Sequence, residues 1–172
     1  MKLFLGLVLS AISLSAHSAN LFAFKSDIGH VIGWGESNTY DDSVAQFAVT
    51  DFPIECELVA NGLNDKSVMW DISLHPPLGV YKFELKTYKD AGGFPTEAHP
   101  FISVFAHGLG CNSSGEFKVL EIEYGRNNKI TKFAVDFVQR CENFKPALYG
   151  AYRFNSSVPN DLDAYIKSLN NK

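Results

Sequence analysis

Past its first fourteen residues this chain has no apolar run long enough to cross a bilayer, and nowhere does it show an internal repeat, a low-complexity tract or a heptad pattern. Those absences disfavour a solenoid, a coiled coil and a helical membrane protein. Basic residues are also scarce, with 15 Lys and Arg against 19 Asp and Glu and a formal charge of −4. A nucleic-acid binder needs a basic stripe to neutralise phosphates, and electrostatic docking on anionic lipid needs the same sign of charge, so neither is expected. The four histidines after residue 17, His30, His75, His99 and His107, make no H-x-H, H-x-x-x-H or H-E-x-x-H spacing, so no metal or other cofactor is implied. Neither G-x-S-x-G nor an EF-hand loop is present. Ser113-Ser114-Gly115 reads as a turn, and Asp41-Asp42 and Asp161-x-Asp163 are isolated acids.

What is present begins with a leader. Lys2 is followed by an uncharged, largely apolar stretch over residues 3–14, then by the small residues around Ser15-Ala16-His17-Ser18-Ala19, the layout of a secretory signal peptide. Twelve helical residues rise about 18 Å, short of the roughly 30 Å hydrocarbon core of a membrane. The segment is therefore read as removed rather than anchoring, with cleavage placed after Ala19 and sites after Ser18 or Ala16 close behind. Losing residues 1–19 removes one lysine and no acid, which moves the charge from −4 to −5 and leaves one domain's worth of chain. The expected organisation is a signal over 1–19, a single β-rich domain over 20–159, and a tail over 160–172.

From Phe47 onward apolar residues recur with period two. Ile54, Cys56 and Leu58 alternate with Glu55 and Glu57; Val68, Trp70, Ile72 and Leu74 with Met69, Asp71 and Ser73; Tyr81, Phe83 and Leu85 with Lys82 and Glu84. Such segments are strands with one wet and one dry face. Segments 101–106, 117–124, 130–140 and 147–154 are rich in the β-branched and aromatic residues that suit a pleated surface. Asn61-Gly62, Pro76-Pro77-Leu78-Gly79, Asp90 to Gly93, Asn112 to Gly115 and Gly125 to Asn128 supply turns between them. Within 117–124 the parity changes between Val119 and Leu120, which predicts either a β-bulge or a strand buried on both faces. Only the tail has helical spacing, at Leu162, Tyr165, Ile166 and Leu169, with Asn160 as the expected cap. The fold class is all-β: an antiparallel sandwich or flattened barrel of about eight strands with a short C-terminal helix.

Three cysteines remain after the leader. Cys111, in a glycine-rich turn, and Cys141, at a strand end, lie where two backbones can approach to bridging distance, whereas Cys56 sits mid-strand on an apolar face. The expected bridge is Cys111–Cys141, with Cys56 a buried thiol. A redox-active pair would want a C-x-x-C spacing that is not here.

Asp136, Gln139, Glu142 and Arg153 form an expected structural polar cluster on the last two strands, with a bidentate Glu142–Arg153 ion pair tying them. Trp34, with Tyr40 nearby, is the one candidate for a recognition ring, although the more economical reading tucks Trp34 into the core.

Three blocks carry a likeness to a family. The first runs Ile28-Gly29-His30-Val31-Ile32-Gly33-Trp34-Gly35-Glu36-Ser37. The second is Gly108-Leu109-Gly110-Cys111-Asn112 with Gly115, Phe117 and Val119. The third is Phe133-Ala134-Val135-Asp136-Phe137-Val138-Gln139-Arg140-Cys141-Glu142, followed by Pro146-Ala147-Leu148-Tyr149-Gly150 and Arg153-Phe154-Asn155-Ser156. Over about residues 24–156 the chain resembles a group of uncharacterised exported bacterial all-β domains. It departs from their pattern at His30, Leu109 and Arg140, where Asp, Arg and His are usual. The resemblance implies an exported fold in which Cys111 and Cys141 pair, and implies no activity.

The functional expectation is a non-catalytic binding or structural module of the periplasm or extracellular space, not an enzyme. Its ligand would be a protein, such as a toxin neutralised in the periplasm, or an envelope glycan. The alternative is a small secreted hydrolase with an unrecognised site. The oligomeric state is left open.

Overall fold

The structure, a computed structural model, describes residues 18–51, 53–61, 67–142 and 144–171. The expected leader therefore lies outside the described residues up to position 17. Ten strands follow in order: β1 (Ala19–Ser26), β2 (Ser37–Asp41), β3 (Ala45–Val49), β4 (Ile54–Asn61), β5 (Ser67–His75), β6 (Thr87–Gly92), β7 (Phe101–Ala106), β8 (Ser113–Tyr124), β9 (Ile130–Cys141) and β10 (Ala147–Ser156). One helix, α1 (Leu162–Asn170), closes the chain.

All ten strands belong to one sheet, ordered β2-β1-β10-β9-β8-β6-β7-β5-β4-β3. Every pairing is antiparallel except a single parallel bridge between Gly92 and Phe101. The two strands at the ends of this order, β2 and β3, run the same way and are joined by three residues, so they are two halves of one bent stave. β6 and β7 are likewise halves of one stave, parted by the excursion over residues 93–100. With each broken stave counted once, ten strands become an eight-stave meander in which each stave neighbours the next and the last returns to the first. The sheet thus curls into a nearly closed up-and-down barrel, the closure that removes most exposed strand edges.

An eight-stave barrel has an interior just wide enough for side chains to fill. Here Trp70, Tyr152, Phe22, Phe117, Phe133 and Phe137 are fully buried together with Ile32, Ile54, Leu58, Ile72, Leu74 and Ile102. Each such side chain contributes about 1.5–3 kcal/mol on leaving water. Tyr152 reaches across to the opposite wall, where its hydroxyl lies 2.9 Å from the Ala48 and Glu57 carbonyl oxygens. Gly150 is required beside Phe137, since a Cβ there would meet the ring at 2.2 Å.

The register of β8 on β9 slips between Val119 and Glu121, which places a bulge at Leu120. The extra residue turns Ile122 and Tyr124 onto the same core as Phe117 and Val119, so the parity change in the sequence is a bulge. The outer face of β9 and β10 carries a second apolar cluster, in which Ala23, Val138, Ala147, Tyr149 and Ala151 are covered by Leu162 and Tyr165 of α1. The helix is capped by Asp161, whose carboxylate accepts from Ala164 N at 3.1 Å, rather than by Asn160.

One further expectation is corrected. The alternation at Tyr81, Phe83 and Leu85 is not a strand: every stave beside it already has its partners, and the segment instead crosses one end of the barrel. Phe83 plugs that end against Tyr88 and Phe117, while Tyr81 and Leu85 face solvent. β1 and β2, which carry no clean period-two signal, are full members of the wall.

Candidate functional site

The strands direct three described connections to one end of the barrel: residues 27–36 between β1 and β2, 107–112 between β7 and β8, and 142–146, described at all but 143, between β9 and β10. The excursion over 93–100 leaves its stave partway along, and the Thr96 carbonyl there accepts from the Leu78 amide of the connection that crosses the other end. This end also holds the disulfide. Cys111 and Cys141 are bonded with their Cα atoms 5.5 Å apart, and Cys56 is free and buried, as the sequence suggested.

The loop over 27–36 is held in place by its own polar side chains. Asp27 exchanges two bonds with Ala147, its amide donating to the Ala147 carbonyl at 2.8 Å and its carboxylate accepting from the Ala147 amide at 2.9 Å. His30 is buried, and its Nδ1 accepts from the amides of Ile32 and Gly33 at 3.2 and 3.3 Å. That is work an Asp side chain ordinarily does in such a turn, and an accepting Nδ1 assigns the proton of a neutral ring to Nε2. Burial drives the His30 pKa below its ordinary value, while Gln139 and the charge of Asp27 pull part of the way back. His30 is therefore a neutral structural ring. Gln139 lies fully buried beneath it and donates to Ser113 Oγ at 3.0 Å and Cys111 Sγ at 3.1 Å, which knits the loop to the disulfide.

This scaffold leaves Trp34 nowhere to go but outward. At the preceding position Gly33 is packed so tightly that a Cβ would lie 2.5 Å from Ser26. Trp34 itself takes φ +51°, a left-handed conformation uncommon for any residue with a side chain and unusual for one so bulky. Its ring is 53% exposed, which overturns the expectation that it lies in the core. Across the rim, His107 also sits at positive φ, +56°, at the tip of the β7–β8 loop. The two rings stack at 5.2 Å with 29° between planes. On its other side His107 meets the buried Trp70 edge-on at 5.8 Å. The result is a three-ring column that begins in the core and ends in water.

Further apolar side chains are exposed on the same rim: Ile28 at 90%, and Phe144. The sequence singled out Trp34 but gave His107 no partner; its signal was a histidine followed directly by Gly108-Leu109-Gly110.

The expected polar cluster divides in two. Arg153 pairs with Asp136, at 2.7 Å, not with Glu142, and both are buried on the outer face beneath the tail. The guanidinium also donates to the carbonyls of Val135, Tyr152, Val158 and Pro159. Glu142 instead accepts from the Asn112 side chain at the rim, and Gln139 faces the interior. Asp136 and Arg153 thus strap the tail to the barrel, whereas Gln139 and Glu142 brace the disulfide loop.

Ser113 is buried and engaged with Cys111 O and Gln139. Among the described residues no three His, Cys, Asp or Glu converge as a metal site, and no helix is long and apolar enough to cross a membrane. An open groove of about 440 Å³ runs between the outer face of β1–β2 and the start of α1, but its charges are already engaged: Lys25 with Asp163 at 3.7 Å, and Asp161 as the helix cap.

Comparison with protein-family models, with curated proteins and with solved structures finds no match in any of the three.

Proposed function

We propose that this protein is an exported, non-catalytic binding module that recognises its ligand with the disulfide-bearing rim of the barrel. One observation carries the reading: Trp34 is held half in water, in a left-handed backbone conformation, on a ring column rooted in the core. Strain of that kind costs of order 1–3 kcal/mol per residue, and it persists where surrounding structure enforces it, most often at ligand sites. Burying an indole in a pocket of the partner would return the apolar contact that the free protein forgoes. The packed barrel interior supports recognition at the rim rather than enclosure of a ligand. The disulfide supports an oxidising address, periplasmic or extracellular, and the apolar leader and the likeness to exported domains add to it.

The test compares wild type with Trp34→Gly, a residue at ease in that conformation, as baits for envelope extract under non-reducing conditions. A ligand retained by wild type and lost by the variant is the expected result. Equal retention of the same ligand by both would remove the rim from the account.

A further inference from the structure

The charges around the ring column say what chemistry it would meet. In the three described rim connections the exposed acids are Asp27, Glu36 and Glu142, and the only Lys or Arg is Lys145, with Arg140 beside them at the end of β9. The two segments that carry the column, 27–36 and 107–112, hold no Lys or Arg at all. The opposite end differs: Lys82, Lys86, Arg126 and Lys129 there outnumber Glu84 and Asp51. The barrel is therefore polarised along its axis, and its acidic pole is the end where Trp34, Ile28 and Phe144 stand out of the surface.

Resting on the rim reading above, we infer that the partner is a basic polypeptide, which presents Lys or Arg side chains beside apolar ones. The Trp34 face accepts a cation directly, and the surrounding carboxylates steer it there. An anionic lipid surface or a nucleic acid would meet repulsion at this pole. A second copy of the chain docking rim to rim would set acid against acid. An uncharged glycan would use the rings but leave the acids of the rim without a role.

The experiment uses the protein with its disulfide intact and four probes: twelve-residue peptides alternating leucine with lysine, with glutamine or with glutamate, and a chitin hexasaccharide. Binding is read by titration calorimetry, with the tryptophan emission of the wild type as a second signal, in 50 mM and 500 mM salt. The lysine peptide should bind at least about tenfold tighter than the glutamine peptide at low salt and lose most of that margin at high salt. Trp34→Gly should weaken it about tenfold, and Glu36→Gln, beside the ring column, should reduce the preference for lysine. Binding of the sugar or of all peptides alike, still dependent on Trp34, would overturn the basic-partner inference and leave the rim site standing. Concentration-dependent self-association abolished by Trp34→Gly would make the partner a second copy and also overturn it. No binding of the lysine peptide up to millimolar concentration would end it, and binding of any probe untouched by Trp34→Gly would end the rim reading too.

Discussion

Replacing Arg153 by methionine should be the most damaging single change on the outside of this barrel. The side chain is 2% exposed, pairs with a carboxylate that is 9% exposed, and donates to four backbone carbonyls, two of them in the strand wall and two in the strap leading to α1. Removing one partner of a buried pair leaves an uncompensated charge, which costs about 3–5 kcal/mol, a large share of the 5–15 kcal/mol that holds a domain folded. The loss should depend on pH in an unusual direction. Burial pushes the Asp136 carboxyl above the usual carboxylate range even though Arg153 opposes the shift. An acid whose folded pKa lies above its unfolded one binds its proton more tightly when folded. Its contribution is fully present below the unfolded pKa and is lost as pH rises through the folded value. Without Arg153 the folded pKa climbs further, so the deficit of Arg153→Met should narrow as pH falls from 7 towards 5. Urea unfolding followed by tryptophan emission measures both quantities. The double variant with Asp136→Leu should recover most of the loss, leaving only the cost of the undonated carbonyls. A deficit below about 1 kcal/mol at pH 7, or one equal at pH 5 and pH 7, would refute the reasoning.

Other outcomes follow from the same geometry. Replacing Cys111 and Cys141 together by serine frees a loop of 30 residues and should cost about 3.5 kcal/mol in the chain-entropy model, read as a lower urea midpoint. Cys56 is fully buried and desolvation raises its pKa well above the ordinary thiol value, so a thiol reagent should label nothing in the folded protein and one cysteine after unfolding. Gly115→Ala would put a Cβ 1.9 Å from the Val138 carbonyl oxygen on the paired strand, a backbone clash that should cost more than about 2 kcal/mol or part β8 from β9, seen as lost amide protection. Trp34→Gly trades about 1–2 kcal/mol of relieved backbone strain against added chain freedom and a lost ring stack of similar size, so its unfolding free energy should stay within about 1 kcal/mol of wild type. Trp70→Ala, in the core, should cost about 3–5 kcal/mol.

Much of the wall was legible because period two reports burial directly. The strand at 101–106 matches its expected limits, and 130–140 and 147–154 lie within β9 and β10. The bulge at Leu120 was visible as a change of parity. The Arg153 partner was not legible, because it depends on register. Arg153 lies opposite Ala134, beside Asp136, whereas Glu142 is eight residues further along, roughly 26 Å away at the strand rise. Tyr81 and Leu85 misled because alternation identifies a strand only where a neighbouring strand has groups to pair with it, and the sequence does not say which edges are already taken. For Trp34 the sequence offers both a recognition ring among glycines and a ring in the core; what decides between them is tertiary, with the chain at Gly33 packed against Ser26 just before it.

The rim is rigid for reasons that bear on how it would bind. Trp34 rests on His107 and His107 on Trp70, so the exposed ring inherits the immobility of a fully buried one. The loop beneath it is fixed by bonds from Asp27 and His30 to backbone amides, and the neighbouring loop by the disulfide and Gln139. A surface ordered in advance loses little conformational entropy when a partner arrives, so more of the contact energy appears as affinity. Burial lowers the His30 pKa and so favours the neutral ring in the brace. Reduction is the condition under which the brace should fail: opening the Cys111–Cys141 bond frees the loop beside Gln139, and the support beneath the ring column loosens before the eight-stave wall does.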